Sequence, residues 1–86
     1  METVQITKEM LDTLPASVGQ NIVVYDAKAR KAFFFIKNRN NYRLKMTLNK
    51  RQKKIEVRPD DCICRLKPNG MLELDRTADV FTKDSA

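Results

Sequence analysis

A chain of 86 residues has room for one domain with a thin core, and its 42% hydrophobic and 33% charged content suits an ordered fold rather than a disordered one. No apolar run approaches the ~20 residues needed to cross a bilayer, which excludes a membrane-spanning helix. The net charge of +6 is unevenly placed: residues 28–67 hold fourteen Lys or Arg against three acids, Glu56, Asp60 and Asp61, whereas both ends are mildly acidic.

In chain order, Ile6 to Leu14 reads as a short helix. Thr7 suits the N-cap because its hydroxyl can accept from an orphaned backbone N–H, and Ile6 and Leu11 then occupy hydrophobic-staple positions. Met10, Leu11 and Leu14 form an apolar stripe, and Pro15 ends the helix. Two turns cannot hold themselves in water, so this helix must dock on a sheet. Ile22 to Tyr25, β-branched and aromatic, reads as the first strand, and the apolar run Ala32 to Ile36 as a second. Asn38-Arg39-Asn40-Asn41 makes a turn. Tyr42, Leu44, Met46 and Leu48 then alternate with Arg43, Lys45, Thr47 and Asn49, which predicts a strand with one face on the core and a basic face in solvent. After a turn at 49–52 come a short strand from Lys54 to Arg58, a break at Pro59-Asp60-Asp61, and extended structure from Cys62 to Lys67. Pro68-Asn69-Gly70 then turns the chain into Met71 to Asp75, closing a hairpin.

The expected fold class is therefore α+β and mostly β: a short N-terminal helix packed on a small antiparallel sheet, or a partly open barrel, of five to six strands. Residues 1–76 are expected to form a single compact domain and 77–86 a frayed tail. The opening Met1-Glu2-Thr3-Val4-Gln5 lacks the basic-then-apolar pattern of a secretory signal, so a cytoplasmic location is the expectation.

Histidine is absent, which excludes Ser-His, Cys-His and His-metal constellations, and two glycines are too few for a phosphate loop. Asp60 and Asp61 follow a proline in a turn, where neighbours point apart rather than acting as an acid/base pair. Cys62 and Cys64, one residue apart, fall on the same side of a strand, too few for a closed zinc site and awkward for a disulfide, so they read as small buried hydrophobes. Neither catalysis nor a cofactor is expected.

The basic centre carries the functional signal. Arg43 and Lys45 on the solvent face of a strand, with Lys37, Arg39, Lys50, Arg51, Lys53 and Lys54 beside it, can contact phosphates through charge and hydrogen bonds. In Lys31-Ala32-Phe33-Phe34-Phe35-Ile36-Lys37, alternation puts Lys31, Phe33, Phe35 and Lys37 on one side and Ala32, Phe34 and Ile36 on the other. Phe33 and Phe35 are thereby candidate stacking rings for unpaired bases, and the plainer alternative is a central strand covered on both sides. The heptapeptide resembles the ribonucleoprotein motif (basic, Gly, aromatic, Gly or Ala, aromatic, aliphatic) of RNA-recognition and cold-shock domains. Lys31, Phe33, Phe35 and Ile36 match it, whereas Ala32 and Phe34 depart from it.

A second resemblance covers fewer than twenty residues. Asn41 to Met46 and Arg51 to Arg58 look like the central hairpin of RelE-type ribonuclease toxins, which cut RNA with basic side chains. That family has two long helices upstream, where this chain has Ile22-Val23-Val24-Tyr25 and Phe33-Phe34-Phe35. Three functions compete: a nucleic-acid-binding module for DNA or RNA, a regulator or inhibitor of phage or mobile-element type docking on an acidic protein surface, and an RNA-cleaving toxin. Oligomeric state is open.

Overall fold

A computed structural model describes residues 6–49 and 60–75. The expected strand over 54–58 and the expected tail over 77–86 lie outside these residues, as do Lys50, Arg51, Lys53 and Lys54. Helix α1 spans Lys8–Asp12, followed by strands β1 (Asn21–Asp26), β2 (Lys31–Lys37), β3 (Tyr42–Asn49), β4 (Cys62–Leu66) and β5 (Leu72–Leu74).

Local chemistry sets the ends of these elements as the residues imply. Thr7 Oγ1 accepts from the Met10 amide at 3.2 Å, and the Thr7 amide donates to Met10 Sδ at 3.4 Å, so a thioether completes the reciprocal cap that Glu or Gln usually closes. Gly19, at φ +90°, turns the chain into β1; its amide donates to Lys37 O at 2.7 Å and the Lys37 amide donates to Gln20 O at 3.1 Å, extending the β1–β2 ladder by two bonds. Asn38 and Asn41 close the β2–β3 turn by an amide-to-carbonyl bond of 2.8 Å and a side-chain bond of 3.0 Å.

The sheet order is β3-β2-β1-β4-β5. β1 pairs antiparallel with β2 but parallel with β4, in the register Ile22–Cys62, Val23–Ile63, Val24–Cys64. The sheet is thus mixed rather than antiparallel, and among the described residues it is open, with β3 and β5 at its edges. The reason lies in β1. Ile22, Val23 and Val24 are all fully buried, so this strand is apolar on both faces and belongs at the centre, with a neighbour on each side. β2 and β3 fill one side as a meander, and the β4–β5 hairpin fills the other.

Cross-strand partners share a face, which sorts the side chains into two layers. On one face Ile22, Val24, Phe35, Cys62 and Cys64 cluster with Leu11 and Leu14 from the α1 segment and with Ala16. On the other, Val23, Ala32 and Ile63 form a second cluster, against which Tyr25, Phe34 and Leu48 pack partly buried. No helix among the described residues is long and apolar enough to cross a membrane.

Candidate nucleic-acid interface

The β2–β3 ladder carries the feature that decides where charge and rings meet. Ala32 pairs with Leu48, Phe33 with Thr47 and Phe34 with Met46; then Phe35 pairs with Leu44, Ile36 with Arg43 and Lys37 with Tyr42. Two consecutive residues of β2 thus span three of β3, and Lys45 is the extra one, a β-bulge. The strict alternation expected over 42–49 is broken there. Tyr42 and Leu44 lie on the α1 face, whereas Met46 and Leu48 lie on the opposite face with Phe34 and Ala32.

Arg43, opposite Ile36, also belongs to that opposite face. So does Lys45, whose Nζ reaches across β2 to Asn21 Oδ1 at 3.4 Å, Asn21 itself being the β1 partner of Ile36. Asn21 Nδ2 in turn donates to Asp61 Oδ1 at 3.5 Å, so a polar chain runs from the exposed ammonium to a buried carboxylate at the start of β4. Arg43 and Lys45 are both exposed, and Met46 beside them is 48% exposed. The opposite face therefore presents two cations at one end, then Ile36, Met46 and the half-buried rings of Phe34 and Tyr25.

The α1 face is used differently. Phe35 is buried, and Phe33 packs half-buried against the same cluster, so neither ring is an open platform for a base. The helix segment needs a large apolar floor to dock on, and these two rings supply it. Lys37 is tied into this layer. Its Nζ donates to Ala16 O at 3.0 Å and sits 5.8 Å from the centre of the Tyr42 ring, which anchors the 13–20 segment instead of facing solvent. Tyr42 Oη donates to Asp12 Oδ1 at 2.6 Å, which holds the Asp12 carboxyl below its usual range, helped by Lys8. Burial, then that bond, pushes the Tyr42 phenol up to about 12.

Of the remaining predicted cations, Arg39 is exposed in the β2–β3 turn. Phe34 and Tyr25 are the rings that the sequence reading passed over. Alternation already put Phe34 on the side away from Phe33 and Phe35, but only the register of β1 adds Tyr25 to it and only the bulge adds Met46 and Lys45. Arg65 and Lys67 are engaged with acids, at 2.7 Å to Asp75 and 3.5 Å to Glu73. Cys62 and Cys64 are buried thiols on the α1 face, as their spacing implies, and burial pushes Cys64 up to about 12. No protein-family model matches the chain, and no match is found among curated proteins or solved structures, so its function is read from this geometry alone.

Proposed function

We propose that this chain is a non-enzymatic nucleic-acid-binding module whose interface is the sheet face opposite α1, at its β2–β3 end. The observation that carries this reading is the bulge at Lys45, which gathers Arg43, Lys45 and Met46 on the same face as Phe34. Arg43 supplies a planar fork for phosphate oxygens and Lys45 a mobile point charge. Arg39 extends the positive strip at the turn, and Lys50, Arg51, Lys53 and Lys54 follow β3 in sequence, so the set holds seven cations. Affinity then falls steeply with salt, with a slope of roughly −0.7 to −0.9 per contact. The test is fluorescence anisotropy with labelled oligonucleotides across a salt series, using the parent and Arg43→Glu/Lys45→Glu. Saturable, salt-sensitive binding that the double variant loses supports the reading; no binding at ~50 mM salt overturns it.

A second reading rests on Met46, about half exposed on the edge strand β3 and on the same face as Arg43 and Lys45. An apolar group beside cations also suits a regulator that docks on an acidic protein surface. Capture of one defined protein after nuclease treatment, lost with Met46→Asp, favours that function. The upstream segment that RelE-type toxins build from two long helices is here β1 and β2, so the resemblance to their hairpin contributes nothing further.

A further inference from the structure

We infer that the centre of the sheet face opposite α1 is a docking surface for the chain's own segment 50–59, which crosses it diagonally from β3 to β4 and packs Ile55 and Val57 on Val23, Ala32 and Ile63. The need for an occupant shows in those three residues. Val23 and Ala32 are 0% exposed and Ile63 8%, yet among the described residues every strand lies within the sheet and the one helix belongs to the other face. An apolar sheet face is buried by a second layer lying across it.

Topology supplies that layer. β3 and β4 both run parallel to β1 and lie on opposite sides of it. The chain therefore leaves β3 at the end of the sheet where Asp26 lies and enters β4 at the other end, beside Ile22. Parallel strands need such a crossover over one face. Chirality selects which face. Viewed with these three strands running upward and β4 to the right of β1, the carbonyls of Val23 and Ile63 point right: Cys64 Sγ reaches Val23 O at 3.6 Å, and the Asp75 amide beyond β5 donates to Ile63 O at 2.9 Å. In a strand of L-residues that orientation turns both side chains toward the viewer. A right-handed crossover moving rightward from β3 to β4 passes on the viewer's side, the face of the three buried residues.

Burial follows the same diagonal. A path from Asn49 to Cys62 crosses β2 at Ala32 and β1 at Val23 and comes down beside Ile63, with half-buried Phe34 and Tyr25 flanking it on either side. Strands ~4.8 Å apart with ~3.3 Å per residue make the span ~25 Å. The eleven links from Asn49 to Asp60 reach ~35–40 Å when extended, enough to arch over one layer of side chains. Alternation in Lys54-Ile55-Glu56-Val57-Arg58 gives Ile55 and Val57 a common side, turned to the sheet, and leaves the charges to solvent. Arg43, at the level of Asn21, stays clear of this path, and Lys50, Arg51, Lys53 and Lys54 come to share its face. Their use as phosphate contacts rests on the nucleic-acid reading above; the docking does not.

The test is NMR of the methyl-labelled 86-residue chain with no nucleic acid present. Expected are nuclear Overhauser contacts from the Ile55 or Val57 methyls to those of Val23, Ala32 or Ile63. Val57→Asp should shift the resonances of those three residues, leave Leu11 and Leu14 in place and lower the urea midpoint. Contacts from Ile55 and Val57 to Leu11 or Leu14 instead, or to neither face, overturn the inference. So do contacts seen only between labelled and unlabelled copies, which make a second chain the occupant. The parent's contacts decide the matter even where Val57→Asp fails to fold, and oligonucleotide binding, measured separately, decides the broader function.

Discussion

Met46 stands opposite Phe34 on the β2–β3 ladder, while Leu44, two positions earlier, stands opposite Phe35, the next residue of β2. Four apolar residues at alternate positions are thereby divided between two layers, Tyr42 and Leu44 on the side of α1 and Met46 and Leu48 on the other. The division suits β2, an interior strand with large apolar side chains on both faces: each face gains cover from β3, and the inserted Lys45 keeps its charge in solvent.

Removing Lys45 should therefore leave every remaining pair of this ladder in register. We expect the variant lacking Lys45 to stay folded, within about 1 kcal/mol of the parent by urea denaturation. Because a bulge and a lysine both discourage strand addition at an edge, the variant should also self-associate at lower concentration in sedimentation experiments. A loss above about 3 kcal/mol would show that Lys45 is part of a needed pairing and not an insertion.

Arg30 closes the β1–β2 turn with φ 56°, in the left-handed region, and its side chain is exposed. An L-residue there is strained by roughly 1 kcal/mol, whereas glycine is not. Arg30→Gly should raise the urea midpoint by an amount equivalent to about 0.5 kcal/mol, after allowance for the added freedom of the unfolded chain. An unchanged or lower midpoint would count against the strained turn.

Asp26 is 2% exposed at the end of β1; its Oδ1 accepts from the Ala29 amide at 3.2 Å, and its Oδ2 has no hydrogen-bond partner among the described residues. A buried charged oxygen left unpaired costs more than a neutral one. Asp26→Asn keeps the turn bond and removes the charge, so stability at pH 7 should rise by about 1 kcal/mol. Thermal melts that show the variant less stable would mean that the carboxylate is compensated within the fold.

The Tyr42 phenol is raised to about 12 in the folded chain by burial and by its bond to Asp12. A raised value means that the folded state holds the proton more tightly than the unfolded chain, whose phenol titrates near 10. The stabilisation is complete below pH 10 and is lost as pH rises from there toward 12. The parent should accordingly lose more stability between pH 9.5 and 11.5 than Tyr42→Phe does, measured by urea midpoints; parallel curves would be the contrary result. Asp12, held low by the same bond, gives the opposite sign at acid pH: its contribution is present above the ordinary carboxylate value and fades as pH falls through the lowered one.

Much of the fold was legible where the cause is local. The Thr7 cap, the helix stop before Pro15, the Asn38–Asn41 turn and the β4–β5 hairpin across Pro68-Asn69-Gly70 all depend on residues within a few positions of each other. The cysteines were legible for the same reason, since i and i+2 on a strand share a side whatever the partner strand is. The candidate site was legible only in part. Arg43 and Lys45 do lie on one side of β3, but the rings that accompany them are not Phe33 and Phe35, which the α1 segment covers.

Composition and spacing alone thus establish a basic, mostly β domain with a capped helix at its start and an apolar central run, because propensity, turn chemistry and charge are properties of short stretches. Three matters needed the tertiary structure. β1 lies at the centre because a strand buried on both faces demands two neighbours, and that the second is β4, running parallel, is a non-local choice. Lys37 is withdrawn from the cationic set because Ala16 O and the Tyr42 ring come within its reach only in the folded chain. And the bulge at Lys45 sends Met46 and Leu48 to the face of Phe34, a shift that an unbroken alternation of apolar and polar residues conceals, since the period along one strand carries no record of an extra residue opposite its partner.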